Sequence, residues 1–184
     1  MPKQNTKKEL LALFKSIDTK IKSKAIIVSI GGTALTLLGY KDFSYDLDLI
    51  ITDAENPEEF YNAYYATINE LGLSQGEHPP FTAFDMSLLE IKDYLKKSDF
   101  FKSLKFKRIT LCTMNIMDII ISKNFRGFPR DKEDIVLIMN SHRISRQALQ
   151  ARYLELLKQQ AYDVRPLFEQ KYKELFRNFG HLLK

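Results

Sequence analysis

Two short motifs carry residues whose types and spacing suit phosphate chemistry. The first, Gly31-Gly32-Thr33-Ala34, directly follows an apolar run over residues 25–30. Glycines let the main chain approach a ligand closely, and the free N–H groups at the start of a helix favour phosphate oxygens. We therefore predict that Gly31, Gly32 and Thr33 bind phosphate groups. A tight turn without a ligand is the alternative.

The second motif is Asp46-Leu47-Asp48, inside an apolar segment over 45–52 that the pattern predicts to be a strand. Successive side chains of a strand point to opposite faces, so Asp46 and Asp48 are predicted to share one face. Neighbouring carboxylates repel each other unless a cation lies between them, and Mg²⁺ prefers such oxygen ligands. The two motifs together predict metal-assisted chemistry on a nucleoside triphosphate. An edge strand that displays its acids to water is the alternative.

A two-metal site usually needs a third carboxylate, and Asp85 is the preferred candidate. The segment over 81–89 suits a strand, in which Asp85 faces away from Phe84 and Met86. Glu90 and Glu77 are the other candidates for this role. A solvated surface acid is the alternative reading of Asp85.

The elements around these motifs predict an α/β (α+β) fold with a small sheet and a helical C-terminal part. Thr6 and Glu9 form a capping box at the start of a first helix, and Asn56-Pro57 begins another. Strands are predicted over 25–30, 45–52, 81–89 and 106–112. Helices alone follow, over 116–125, 131–139, 145–160 and 164–179.

Composition limits the class of protein. The 184 residues carry a net charge of +5, with 19 basic and 19 acidic residues up to 140 and 9 against 4 beyond it. The basic end suits an acidic or nucleic-acid partner, or a solvated helical surface. The single Cys112 is predicted to be a core residue. The sequence has no apolar stretch of about 18 residues and no apolar secretion signal, which predicts a cytoplasmic protein without a membrane partner.

The motifs resemble the signature of the nucleotidyltransferase superfamily related to DNA polymerase beta. A later stretch, Lys123 with Arg126-Gly127 and residues 130–135, is similar to a "K…R…KD-x-x-D" segment of minimal nucleotidyltransferases. Abortive-infection toxins belong to that branch. The resemblance covers roughly residues 6–140. We therefore predict a nucleotidyltransferase-type core over 1–140, with a small mixed sheet flanked by helices, and a helical extension over 141–184.

The resemblance implies roles for individual positions. Gly31, Gly32 and Thr33 match the residues that hold the triphosphate, and the helical lysine of the toxin-like branch matches Lys123. The remaining matches are to acids: Asp46 and Asp48 to the metal-binding pair, Asp85 to the third carboxylate, and Asp131 or Asp134 to a later acid. Mg²⁺, with Mn²⁺ as a substitute, is the implied cofactor.

The residues alone leave the later stretch open. Lys123 lies beside the apolar stripe of its helix, where it suits either phosphate binding or a surface position. Arg126 and Arg130 suit phosphate binding or the end of the helix. Asp131 and Asp134 suit a site or the first turn of the next helix.

Three functions are therefore open. The leading one is transfer of a nucleoside monophosphate from an NTP to RNA (tRNA included), a protein or a small molecule, with release of pyrophosphate. The second is a non-catalytic nucleotide-binding regulator that retains the fold. The third is nucleic-acid binding through residues 141–184.

Overall fold

A computed structural model describes residues 4–73, 106–160 and 162–184, and the main chain of residues 99–100. The described residues form two compact units. The first contains residues 4–73, 99–100 and 106–114, and the second contains 115–160 and 162–184.

The first unit is built on a mixed sheet. Its helices are α1 (Lys7–Lys20), α2 (Gly31–Leu38) and α3 (Pro57–Leu71), and its strands are β1 (Asn5–Thr6), β2 (Ala25–Ser29), β3 (Phe43–Ser44), β4 (Leu49–Ala54), β5 (Asp99–Phe100) and β6 (Ile109–Thr113). The main sheet has the order β4-β2-β6-β5, in which β2 is parallel to β6 and antiparallel to β4. Strands β1 and β3 form a separate antiparallel pair. The predicted mixed α/β (α+β) class is confirmed.

Local sequence signals set the ends of these helices. The capping box at α1 is confirmed, because the Thr6 N–H donates to Glu9 and the Glu9 N–H donates to the Thr6 hydroxyl. The Asn56 side chain caps α3, which ends at Gly72 in the left-handed conformation. Helices α1 and α3 bury their apolar stripes in one core, which includes Phe14, Ile17, Phe60 and Tyr64.

The predicted strand over 45–52 is wrong at its start. Strand β4 begins at Leu49, so Asp46 and Asp48 lie immediately before it rather than on it. The reason is the partner strand: β2 ends at Ser29, opposite Leu49, and the chain then turns into α2. A single further main-chain bond, from the Ile30 N–H to the Asp48 carbonyl, continues the ladder.

A buried carboxylate ties α1 to the first residues of β6. Asp18 accepts main-chain N–H groups of Lys107, Arg108 and Ile109 over 3.0, 2.7 and 2.9 Å. Burial by itself would raise the pKa of Asp18, but these N–H donors lower it below its ordinary value. Asp18 therefore contributes stability in its ionised form.

We expect Asp18→Asn to lower the free energy of unfolding by about 1–3 kcal/mol at neutral pH, because a buried amide replaces the acceptor of three N–H groups. Since the folded pKa of Asp18 is depressed, its contribution is present above the unfolded pKa of about 4 and is lost as the pH falls through the folded pKa. Urea denaturation from pH 7 to pH 3 should show the difference between the variant and the wild type shrinking below about pH 4. The exposed Asp42→Asn is the control, and a difference independent of pH would contradict this role of Asp18.

The second unit is helical. It contains α4 (Ile116–Arg126), α5 (Pro129–Ser141), α6 (Arg146–Gln159), α7 (Arg165–Phe179) and a 3-10 turn over Gly180–Leu182. The four predicted helices are confirmed, and with them the helical C-terminal part. Tyr153 of α6 packs on Phe168 of α7 with ring centroids 4.6 Å apart.

A buried ion pair links α4 to α6 in this unit. Arg152 donates to both carboxylate oxygens of Asp118 over 2.6 and 2.9 Å. Helices on either side of residue 140 therefore pack within one unit. The proposed functional division at residue 140 stays a prediction.

Among the described residues, no helix combines the length and the apolar character that crossing a membrane requires.

Candidate functional site

The two glycines lie at the start of α2, just after the end of β2. Gly31, the first residue of α2, has a φ of +53°, a conformation that side chains rarely adopt. A Cβ at Gly31 would lie 2.6 Å from Oδ2 of Asp48, and one at Gly32 would lie 2.8 Å from Oγ of Ser44. A side chain at Gly31 would therefore have to displace the Asp48 carboxylate, and one at Gly32 the Ser44 hydroxyl.

Asp48 binds the start of α2. Its Oδ2 accepts the Gly32 N–H over 3.1 Å, whereas the residue that precedes the helix, Ile30, offers no side-chain cap. A carboxylate at this end is favoured by the unpaired N–H groups and the positive end of the helix dipole. One predicted metal ligand thus touches the predicted phosphate-binding turn.

Two hydroxyl groups hold the main chain of the same segment. The Thr33 hydroxyl donates to the Asp46 carbonyl over 3.0 Å and accepts the Asp48 N–H over 2.9 Å. The Ser44 hydroxyl also donates to the Asp46 carbonyl, over 2.9 Å. The segment between β3 and β4 is therefore fixed although it belongs to neither strand.

The two aspartates are more exposed than the leucines beside them. Asp46 is exposed and Asp48 half-buried, while Leu47 and Leu49 are buried in the core. The alternation that the sequence predicted for a strand therefore persists just outside it. Within the described ranges, no group of three or more His, Cys, Asp or Glu side chains is placed to hold a metal ion.

The sequence predicts a third carboxylate for the site. Asp85 and the other two candidates, Glu90 and Glu77, lie outside the described residues, as does the predicted strand over 81–89. The roles assigned to them stay predictions.

Lys123, in the second unit, is buried in an ion-pair cluster. Its side chain is only 3% exposed, and its ammonium lies 3.0 Å from Asp131 and 2.7 Å from Asp134. The half-exposed Arg126 reaches the same Oδ1 of Asp131 at 2.7 Å. This cluster joins the end of α4 to the first turns of α5, and the surface position that the sequence left open for Lys123 is not adopted.

The stretch after Lys123 is thus explained by its contacts within this unit. Asp131 is an acid of the first turn of α5, Asp134 lies one turn further along the helix, and both are partners of Lys123. Arg130 is exposed. In this structure the ammonium of Lys123 binds two carboxylates. The nucleotide-binding role of Lys123 stays a prediction.

Comparison with known families decides the assignment. A family model described as "Nucleotidyltransferase of unknown function (DUF6036)" matches residues 8–183. The chain belongs to this nucleotidyltransferase family. The resemblance to the nucleotidyltransferase superfamily is thereby confirmed. Searches of curated proteins and of solved structures returned no match.

In this member of the family, sequence reasoning missed Ser44. Its hydroxyl faces Gly32 and binds the Asp46 carbonyl, so it belongs to the turn that carries the aspartates. A small residue between Phe43 and Tyr45 is the only local signal, and it does not distinguish a buried hydroxyl from an ordinary loop serine.

We expect Gly31→Ala to destabilise the protein more than Gly39→Ala, which is its matched control. Both glycines have positive φ, which costs a substituted residue about 1–2 kcal/mol. At Gly39 the nearest atom to a new Cβ is Lys7 Nζ at 4.0 Å, whereas at Gly31 Asp48 must move, which adds about 1–3 kcal/mol. Urea denaturation measures both losses. Equal losses would show that Asp48 does not restrict this position.

Proposed function

We propose that this chain is a Mg²⁺-dependent nucleotidyltransferase that transfers a nucleoside monophosphate from an NTP to an acceptor. An acceptor oxygen bonds to the α-phosphorus, the bond from that phosphorus to the bridging oxygen breaks, and pyrophosphate leaves. The acceptor's proton passes to a base or to water. One observation carries the proposal: the Asp46–Asp48 segment is fixed against a Gly-Gly helix start, in a chain of a nucleotidyltransferase family.

The aspartate pair fits a divalent cation. Asp46 and Asp48 offer hard carboxylate oxygens on accessible side chains, and Mg²⁺ typically takes one or two carboxylates together with substrate phosphates. We assign both residues as metal ligands, with Asp85 as the proposed third carboxylate. The cation would offset the charge that develops on the transferred phosphoryl group.

The start of α2 suits the triphosphate. N–H groups in the first turn of a helix have no acceptor within the helix, and Gly31 and Gly32 present no side chain that would keep a phosphate away. We assign these two main-chain positions to phosphate binding, in which the Gly32 N–H would exchange the Asp48 carboxylate for a phosphate oxygen.

RNA is the acceptor that the charge distribution favours. Of eight acidic residues over 115–184, three are buried in ion pairs: Asp118, Asp131 and Asp134. Of the thirteen basic residues over 115–184, only Lys123 and Arg152 are buried. Eleven basic and five acidic residues of this range are therefore at least partly exposed to solvent. Burial therefore leaves the second unit more basic at its surface than its composition indicates, which suits a phosphate backbone.

The test is incubation of the full chain with Mg²⁺, each α-³²P-labelled NTP in turn, and purified tRNA. Label is expected on the RNA, and it should fall when EDTA removes the metal. Label on the protein or on a small molecule instead would support the transfer reaction and overturn the RNA acceptor. No label in any fraction with any NTP would overturn the proposed reaction.

A non-catalytic nucleotide-binding protein is the second candidate function. It is favoured by the structural role of Asp48, whose carboxylate already caps α2. Calorimetry that shows NTP binding by a protein without any transfer would support this candidate.

A further inference from the structure

The Thr33 hydroxyl is placed between two main-chain groups of the aspartate segment. Thr33 lies in the first turn of α2 and is 0% exposed. The Thr33 hydroxyl donates its proton to the Asp46 carbonyl, and one lone pair of its oxygen accepts the Asp48 N–H. A threonine hydroxyl has one proton to donate, so donation to a phosphate would break the bond to Asp46.

These bonds replace those of a sheet. Residues 45–48 precede β4, yet both main-chain polar groups of Asp48 are bound: its N–H to the Thr33 hydroxyl and its carbonyl to the Ile30 N–H. The Asp46 carbonyl accepts two hydroxyls, from Thr33 and Ser44. The Thr33 hydroxyl therefore hydrogen-bonds to the main chain of both aspartates.

We infer that Thr33 is a positioning residue, which fixes the Asp46 and Asp48 carboxylates relative to the start of α2, and is not a ligand of the triphosphate. Ser44 supports it through the Asp46 carbonyl. The inference rests on the proposed function in one respect, that the two carboxylates bind a metal ion. The hydrogen bonds themselves can be tested without any reaction.

Helix α2 contains a matched control. Thr36 is also 0% exposed, but its hydroxyl donates to Gly32 of its own helix and does not reach the aspartates. Thr33→Val and Thr36→Val therefore remove the same group from the same buried environment. Thr33→Ser keeps the hydroxyl, and Ser44→Ala removes only the second donor to Asp46.

The first measurement is amide hydrogen exchange by NMR without nucleotide. Loss of one hydrogen bond should speed exchange of the Asp48 amide about tenfold in Thr33→Val, whereas Thr36→Val and Thr33→Ser should match the wild type. An unchanged Asp48 amide in Thr33→Val would overturn the inference.

The second measurement is Mn²⁺ binding by electron paramagnetic resonance, again without nucleotide. Thr33→Val should weaken binding about tenfold, Ser44→Ala should weaken it less, and Thr36→Val should leave it unchanged. If Thr33→Val does not fold, the inference stands on Ser44→Ala, and normal Mn²⁺ affinity of that variant overturns it. Unaltered Mn²⁺ affinity of Thr33→Val with a raised KM for the NTP would make Thr33 a triphosphate ligand, against the inference.

The two proposals fail separately. A wild-type protein that binds Mn²⁺ but transfers no nucleotide would overturn the proposed reaction, while the comparison of Thr33→Val with Thr36→Val would still decide the positioning role.

Discussion

Asp46→Asn and Asp48→Asn are each expected to lower the rate of nucleotide transfer about 10³-fold or more, equivalent to about 4 kcal/mol of transition-state stabilisation. Asparagine keeps the size of the side chain and one acceptor oxygen, so Gly32 can still donate its N–H at position 48. What is lost is the negative charge that would hold the cation. The measurement is transfer of labelled NMP at saturating Mg²⁺ and NTP.

Asp53→Asn is the matched control for this pair. Asp53 is an exposed carboxylate on the adjoining strand β4, and its replacement should leave transfer unchanged. Asp48→Asn should also cost about 0.3–1 kcal/mol of stability, because a charged group at the start of a helix is lost. Transfer by both asparagine variants at the wild-type rate would contradict the assignment of the metal ligands.

Lys123→Met is expected to lower the free energy of unfolding by about 3–5 kcal/mol, because it leaves Asp131 and Asp134 buried without their shared cation. Arg126 still forms an ion pair with Asp131, but the Arg126 side chain is partly exposed to solvent. Among the described contacts, Arg126 makes no ion pair with Asp134. Urea denaturation followed by circular dichroism measures the loss.

Two further variants identify the cause. Lys132→Met, on the exposed side of α5, should change stability by no more than about 0.5 kcal/mol. Lys123→Met combined with Asp134→Asn should recover part of the loss, since one of the two buried carboxylate charges that Lys123 had faced is removed. A stable Lys123→Met protein with a raised KM for the NTP would instead support the phosphate-binding role predicted from the sequence.

Much of the fold was predictable because its signals are local. The signals that start and end helices depend on residues only a few positions apart. The observed helices begin at Thr6 with Glu9 and at Asn56 with Pro57, and they end at Gly39 and Gly72. Strand β4 was placed too early because apolar alternation continues through Asp46 and Asp48, while main-chain hydrogen bonding extends only one residue beyond the end of β2, to the Ile30–Asp48 bond. No pattern within 45–52 records the length of the partner strand.

For the candidate site, too, some features follow from the sequence and others only from the tertiary structure. The sequence by itself determined which chemistry is available: two glycines at a helix start, two carboxylates one residue apart, and a family assignment over 8–183. Only the tertiary structure decided what those groups touch. It turned Thr33 toward the main chain of Asp46 and Asp48, and it enclosed Lys123 between Asp131 and Asp134. The physical reason is that residue type fixes what a group can bind, whereas packing between distant segments fixes which partner fills its limited hydrogen-bonding capacity.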